Sequence, residues 1–152
     1  MVTLTWGVKQ SFRGYVEMSG GTAATTDGAA TAPDGAFTFE TAPDSDLALD
    51  ANGALRGTGR FRGRVSFQAH GGMLSVTLTD PWIEPTADGL VLSIAETPTR
   101  RTAIARLDAG AASRAADGAL EIAAAITLDG MMILGDHYPP GTPLDPVRLA
   151  AV

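Results

Sequence analysis

Between Gly59 and Thr79 apolar and polar residues alternate almost without a break. Phe61, Val65, Phe67 and Ala69 fall on one face with Gly59 and Gly63 in phase, and Leu74, Val76 and Leu78 resume the rhythm after His70-Gly71-Gly72. Successive side chains of extended backbone point to opposite sides, so a period of two means a strand with one buried face. Two such runs around a Gly-Gly turn predict an antiparallel hairpin. The same alternation runs from Val2 to Val8, through Phe37 and Phe39 in 36–41, and over 90–95, 102–107, 120–128 and 147–150. Glycine and proline, 18 and 9 in number, fall between the runs and punctuate them as turns. The chain is therefore expected to be all-β, a mainly antiparallel β-sandwich or distorted barrel of about eight to ten strands with one or two short helices.

The rhythm changes in two places. Val8, Phe12, Tyr15 and Val16 recur at helical spacing, which predicts a short helix capped by Ser11, running through Met18 and stopped by Gly20-Gly21. Met131 to Leu134, between Gly130 and Gly135, reads as a short apolar helical turn. Residues 22–35 are of low complexity and read as a thin edge strand and a loop closed by Pro33-Asp34-Gly35, while 42–54 read as a polar connection. Asp136 to Pro146 carries four prolines and is expected to be a rigid loop before the last strand. At 152 residues with no internal repeat, the chain is expected to form one domain over 1–152.

Composition removes several classes of function. With no cysteine there is no disulfide, thiolate metal site, iron–sulfur cluster or cysteine nucleophile. A net charge of −6 with no basic stripe argues against nucleic acid, whose binding rests on neutralising phosphates. Arg56, Arg60, Arg62 and Arg64 form a local basic patch whose spacing of two fits the solvated face of a strand. No apolar run approaches the ~20 residues of a membrane span, and no leader is visible ahead of the alternation that starts at Val2. A cytoplasmic location is the expectation.

Familiar catalytic signatures are missing. Ser11 or Ser66 with His70 and some Asp would make a triad of almost no specificity. Asp44, Asp46 and Asp50 lack the glycine and terminal glutamate of a calcium loop and read as a solvated connection. Two features stand above this. Ser11 and Tyr15 are four apart on the predicted helix and share a face, so a hydroxyl, a phenol and a helix N-terminus address one place. Taken alone, Tyr15 also fits a half-buried core aromatic with its hydroxyl in water. His70-Gly71-Gly72 sits at a hairpin tip where the glycines would let a large flat ligand approach the backbone, although a plain turn with a surface histidine fits as well.

Trp6-Gly7-Val8-Lys9, then Ser11-Phe12-Arg13-x-Tyr15-Val16, then Gly59-x-Phe61-x-Gly63-x-Val65-x-Phe67-x-x-His70-Gly71-Gly72-x-Leu74, then Asp80-Pro81-Trp82, and last Tyr138-x-x-Gly141-Thr142-x-x-Asp145-Pro146 follow one another along nearly the whole chain. This ordered set resembles the HtaA domain of bacterial haem-uptake proteins. The resemblance implies a β-rich module that carries or stores ferric haem (haem b). It implies Tyr15 as the iron ligand, His70 as its supporting imidazole, and Ser11 at the same pocket. Phe12, Phe61, Phe67 and the Met131–Leu134 turn would supply apolar contact, and Arg13 would pair a propionate or face solvent. Implied partners are haem and a haem donor or acceptor protein; a homodimer is left open. The family often has Phe-Tyr where this chain has His137-Tyr138, so His137 either makes that wall more polar, serves as a second axial ligand, or is a plain loop residue.

Phenolate is a hard anionic donor that favours Fe(III), and a free phenol ionises only near pH ~10, so the iron and a neighbouring hydrogen bond must stabilise the anion. Two other readings stand beside the carrier: an enzyme using the same pocket, for peroxidase chemistry, haem breakdown or a small hydrophobic substrate, and an interaction module that has lost its ligand.

Overall fold

The computed structural model describes residues 2–49 and 54–151. Asp50, the third acid of the calcium-like run, lies outside the described residues, as do 51–53 of the polar connection. The chain opens with β1 (Val2–Trp6) and the helix α1 (Gln10–Met18), followed by a two-strand excursion, β2 (Thr22–Thr26) and β3 (Ala29–Thr31). The expected edge strand is thus two strands. Asp27 and Gly28, with φ of 60° and 111°, turn the chain from β2, which pairs with β8, into β3, which pairs with β4. β4 (Phe37–Thr41) turns its Phe37 and Phe39 inward. The connection after it carries a small hairpin, β5 (Ala48–Leu49) with β6 (Leu55–Arg56).

β7 (Gly59–Arg62) and β8 (Arg64–Ala69) are one alternating run broken at Gly63. Its φ of 144° and its close approach to Ala29, where a Cβ would stand 2.6 Å from the Ala29 nitrogen, admit only glycine. The remaining elements are β9 (Leu74–Thr79), β10 (Trp82–Thr86), β11 (Gly89–Thr97), β12 (Arg100–Arg114), β13 (Leu120–Ile126), α2 (Leu128–Ile133) and β14 (Pro143–Ala151). Leu128, expected at the end of a strand, instead starts α2, because Thr127 accepts the Gly130 N–H through its hydroxyl at 2.9 Å and caps a helix there. The strand β14 starts inside the expected proline loop, since Pro143 and Leu144 already pair with Ala125 and Ala124.

Antiparallel pairing runs in the order β1-β14-β13-β12-β11-β10-β7-β4, and β4 pairs back onto β1, so the sheet closes into a barrel. Of the two expected architectures, the barrel is the one formed. Closure leaves no unpaired edge between β1 and β4. A second sheet, β2-β8-β9, branches off at Gly63. Leu4, Trp6, Phe37, Phe39, Phe61, Ile83, Leu92, Ile122 and Val147 fill the core, each nearly inaccessible to solvent. Among the described residues no helix is long and apolar enough to cross a membrane.

A row of rings ties the barrel to α1. Phe37 meets Phe67 of β8 edge-on at 5.6 Å between centroids, and Phe67 meets Phe12 of α1 at 5.1 Å. Full burial of one such ring contributes about 2–3 kcal/mol. At Gly21 a Cβ would stand 2.2 Å from the Gln68 carbonyl oxygen, so this glycine lets the end of α1 press against β8 and brings its outer face beside the β8–β9 turn.

Candidate functional site

α1 is amphipathic. Phe12 and Val16 point into the core, while Ser11, Tyr15 and Met18 face outward. Its start is not capped by Ser11, which lies inside the first turn. Lys9 occupies the cap position without a side-chain bond, and the carboxylate of Asp145, at the far end of the chain, takes the role. Asp145 Oδ1 accepts the Gln10 N–H at 3.0 Å, and its Oδ2 accepts from Arg13 at 2.7 Å. Arg13 also donates to the Gly7 carbonyl at 2.7 Å. The guanidinium expected at a propionate or in solvent is therefore committed to holding the helix down, an anchor whose anionic end suits the positive helix N-terminus.

With the helix fixed, Tyr15 stands 39% exposed and its hydroxyl lies 2.6 Å from His70 Nε2. The phenol donates to Nε2 or accepts from its N–H according to the imidazole tautomer. His70 reaches it because His70, Gly71 and Gly72 adopt φ of 55°, 64° and 93° in succession and curl the turn after β8 back on itself. For a side chain with a Cβ this conformation costs about 1–2 kcal/mol. Strain of this kind, held by surrounding contacts, gathers at functional sites.

His137 comes from a third segment. After α2, Gly135 and Asp136 take φ of 87° and 64°, and the Asp136 N–H returns to the Met131 carbonyl at 2.9 Å. The turn carries the exposed His137 to 5.5 Å from the Tyr15 ring centroid, almost the same as the 5.6 Å of His70. Tyr138 follows, half-buried, 6.4 Å from Phe12, under the Lys9 ammonium and 3.4 Å from the Ser11 hydroxyl. The structure thus brings together Ser11, Tyr15, His70 and His137 from three distant segments.

Phe12, expected to touch a ligand, does not lie at this surface. It is fully buried, as are Phe61 and Phe67, because these rings make the joint between α1 and the two sheets. Phe12 supports Tyr138 from beneath. In the Met131–Leu134 turn, Leu134 is buried as well and Met132 is exposed. Sequence reasoning did not place Tyr138 beside Ser11.

Among the described residues no three His, Cys, Asp or Glu side chains converge on a bare metal ion. Asp44 and Asp46 spend their oxygens on Arg60, and Asp46 also accepts the Thr58 N–H. What the open face offers is one phenol flanked by two imidazoles, a set of one or two donors for an iron already held by other ligands.

The family model described as Htaa matches residues 1–150. Three solved structures from Corynebacterium glutamicum share the fold. The N-terminal domain of HtaA superposes with a TM-score of 0.74 at 21% identity, over 97% of this chain and 94% of that one. The C-terminal domain of HtaA gives 0.68 at 25% identity, over 97% and 93%. The haem-binding protein HtaB gives 0.68 at 17% identity, over 98% and 93%. No curated protein sequence matches. A match over this span establishes that the chain belongs to the HtaA family.

Proposed function

We propose that the protein binds ferric haem on the face where α1 meets the β8–β9 turn, with Tyr15 as the iron ligand, and acts as a carrier or store. The observation that carries this is the 2.6 Å hydrogen bond between an exposed phenol and an imidazole held in strained backbone. His70 steadies the oxygen of Tyr15 and tunes its donor strength, the usual task of a hydrogen-bonding neighbour to a ligand. The Ser11 and Tyr138 hydroxyls, 3.4 Å apart, form a polar rim that suits the carboxylates of a haem. Haem binding by the similar protein HtaB supports the reading.

An exposed ligand suits exchange with a donor or acceptor protein. The cargo can be handed over without unfolding any part of the barrel, and haem b is the form the reading assigns. Bound haem supplies a ferric iron that prefers hard anionic oxygen; everything else at the site is the protein's. Titration of the protein with ferric haem, followed by absorption, tests the proposal. A Soret band with the charge-transfer features of phenolate ligation is expected, and its persistence unchanged in Tyr15→Phe refutes the ligand assignment.

A further inference from the structure

The flank of α1 turned away from Tyr15 borders a groove that the haem reading leaves unused. At about 100° per residue, Arg13 and Glu17 fall on one side of the buried stripe of Phe12 and Val16, and Ser11 and Tyr15 fall on the other. Ala23 of β2, Thr31 of β3 and the turn at Gly35 complete a space of about 280 Å³ whose floor is Val16, Phe37 and Phe67. That volume lies just under the about 300–1,000 Å³ of pockets for drug-sized ligands. Arg13 uses only part of its guanidinium. Nη1 donates to the Gly7 carbonyl and to Asp145, whereas among the described residues nothing accepts from Nε or Nη2. Those two atoms form the edge of the fork that takes a carboxylate side-on. They face the Gly35 end of the groove, since a Cβ on Gly35 would stand 3.7 Å from Nε and 3.9 Å from Nη2. The Asp145 pair holds the side chain, 20% exposed, so this edge is aimed in advance. Glu17, one helical turn on, is exposed and enters no ion pair among the described residues.

The charges choose between ligands. Asp145 already balances Arg13. A plain carboxylate at the fork would meet the opposing charge of Glu17, and a plain amine at Glu17 would leave Nε and Nη2 idle. A molecule that carries both groups a few ångströms apart satisfies both, because side chains at i and i+4 on a helix start only about 6 Å apart. We propose that this groove binds a free amino acid with an apolar side chain. Its carboxylate lies on Nε and Nη2 of Arg13, its ammonium meets Glu17, and its side chain covers Phe37 and Phe67. The site is separate from the haem face and does not depend on the haem reading.

Calorimetric titration of the intact chain with L-leucine, N-acetyl-leucine and leucinamide tests this. Leucine is expected to bind with a Kd of about 1 mM or tighter. Each analogue lacks one of the two charges and should bind about tenfold more weakly. Glu17→Gln, at an exposed position, should melt with the parent, bind leucine about tenfold more weakly and lose the preference over N-acetyl-leucine. Arg13→Lys keeps the charge without the fork and should also weaken leucine about tenfold; it loosens the Asp145 anchor as well, so Glu17→Gln decides. Tyr15→Phe should leave leucine binding within about twofold of the parent. A loss there puts leucine on the haem face and overturns the groove. Equal affinity for leucine and N-acetyl-leucine, undiminished leucine binding in Glu17→Gln, or no binding of leucine at about 10 mM overturns the proposal and leaves the haem reading untouched.

Discussion

Two aromatic rings on this barrel are each flanked by a pair of basic side chains, and they have opposite fates. Trp82 has the Arg101 guanidinium 3.8 Å and the Arg60 guanidinium 5.0 Å from its ring centroid. The polar groups beside it bond to one another. Arg101 donates to the Ser93 hydroxyl and carbonyl, both at 3.1 Å, and to the Asp80 carbonyl, while Ser93 donates to Glu84 at 2.6 Å. Burial lowers the pKa of Arg101, an effect that Glu84 and then Asp80 oppose. Tyr15 has the same arrangement with imidazoles in place of guanidiniums, but its flanks are exposed and a hydrogen bond to His70 engages its hydroxyl. Hydrogen bonds among Arg101, Ser93 and Glu84 make the first cluster part of the scaffold; the exposed phenol and imidazoles leave the second as the candidate site.

The comparison breaks if substitutions fail to separate stability from binding. The largest effect is expected at Tyr15→Phe, a loss of ferric haem affinity of about 100-fold in spectral titration with stability within about 0.5 kcal/mol. Arg101→Ala should do the reverse. It strips a half-buried network and should cost about 2–3 kcal/mol in denaturant unfolding, leaving affinity per folded molecule unaltered. His70→Gly sharpens the contrast. It removes the hydrogen bond and should weaken haem about tenfold, while relief of the left-handed strain adds about 0.5 kcal/mol of stability. The smallest effect belongs to Arg62→Ala, which breaks the exposed 3.1 Å pair with Glu40 and should move neither measurement beyond about 0.5 kcal/mol.

Much of the architecture was legible in local pattern. The alternation of Phe61, Val65 and Phe67, the inward Phe37 and Phe39, and the helix carrying Phe12 and Val16 all fold as their periodicities require, because each pattern encodes which face loses water. Reading failed where composition was bland or a partner lay far away. The alanines and threonines of 22–31 have too little apolar contrast to declare two strands, and they pair only because β8 and β4 lie alongside. The motif order singled out Tyr15 and His70, but local pattern left both as bland alternatives. Nothing in the helix sequence shows that Arg13 is claimed by Asp145, 132 positions away.

By itself the sequence determined the class of fold, the amphipathic helix that presents Tyr15, and the glycine turn that bears His70, since these depend on the backbone preferences and burial of neighbours in the chain. Tertiary structure decided that the sheet closes into a barrel, that Phe12 is buried beneath Tyr138, and that His137 arrives beside Tyr15. Those outcomes rest on pairings between segments far apart, such as Thr5 of β1 with Arg148 of β14 and Trp6 with Phe37 of β4. Their free energy appears only when long loops have closed and both partners have left water together, a condition that local sequence pattern does not carry.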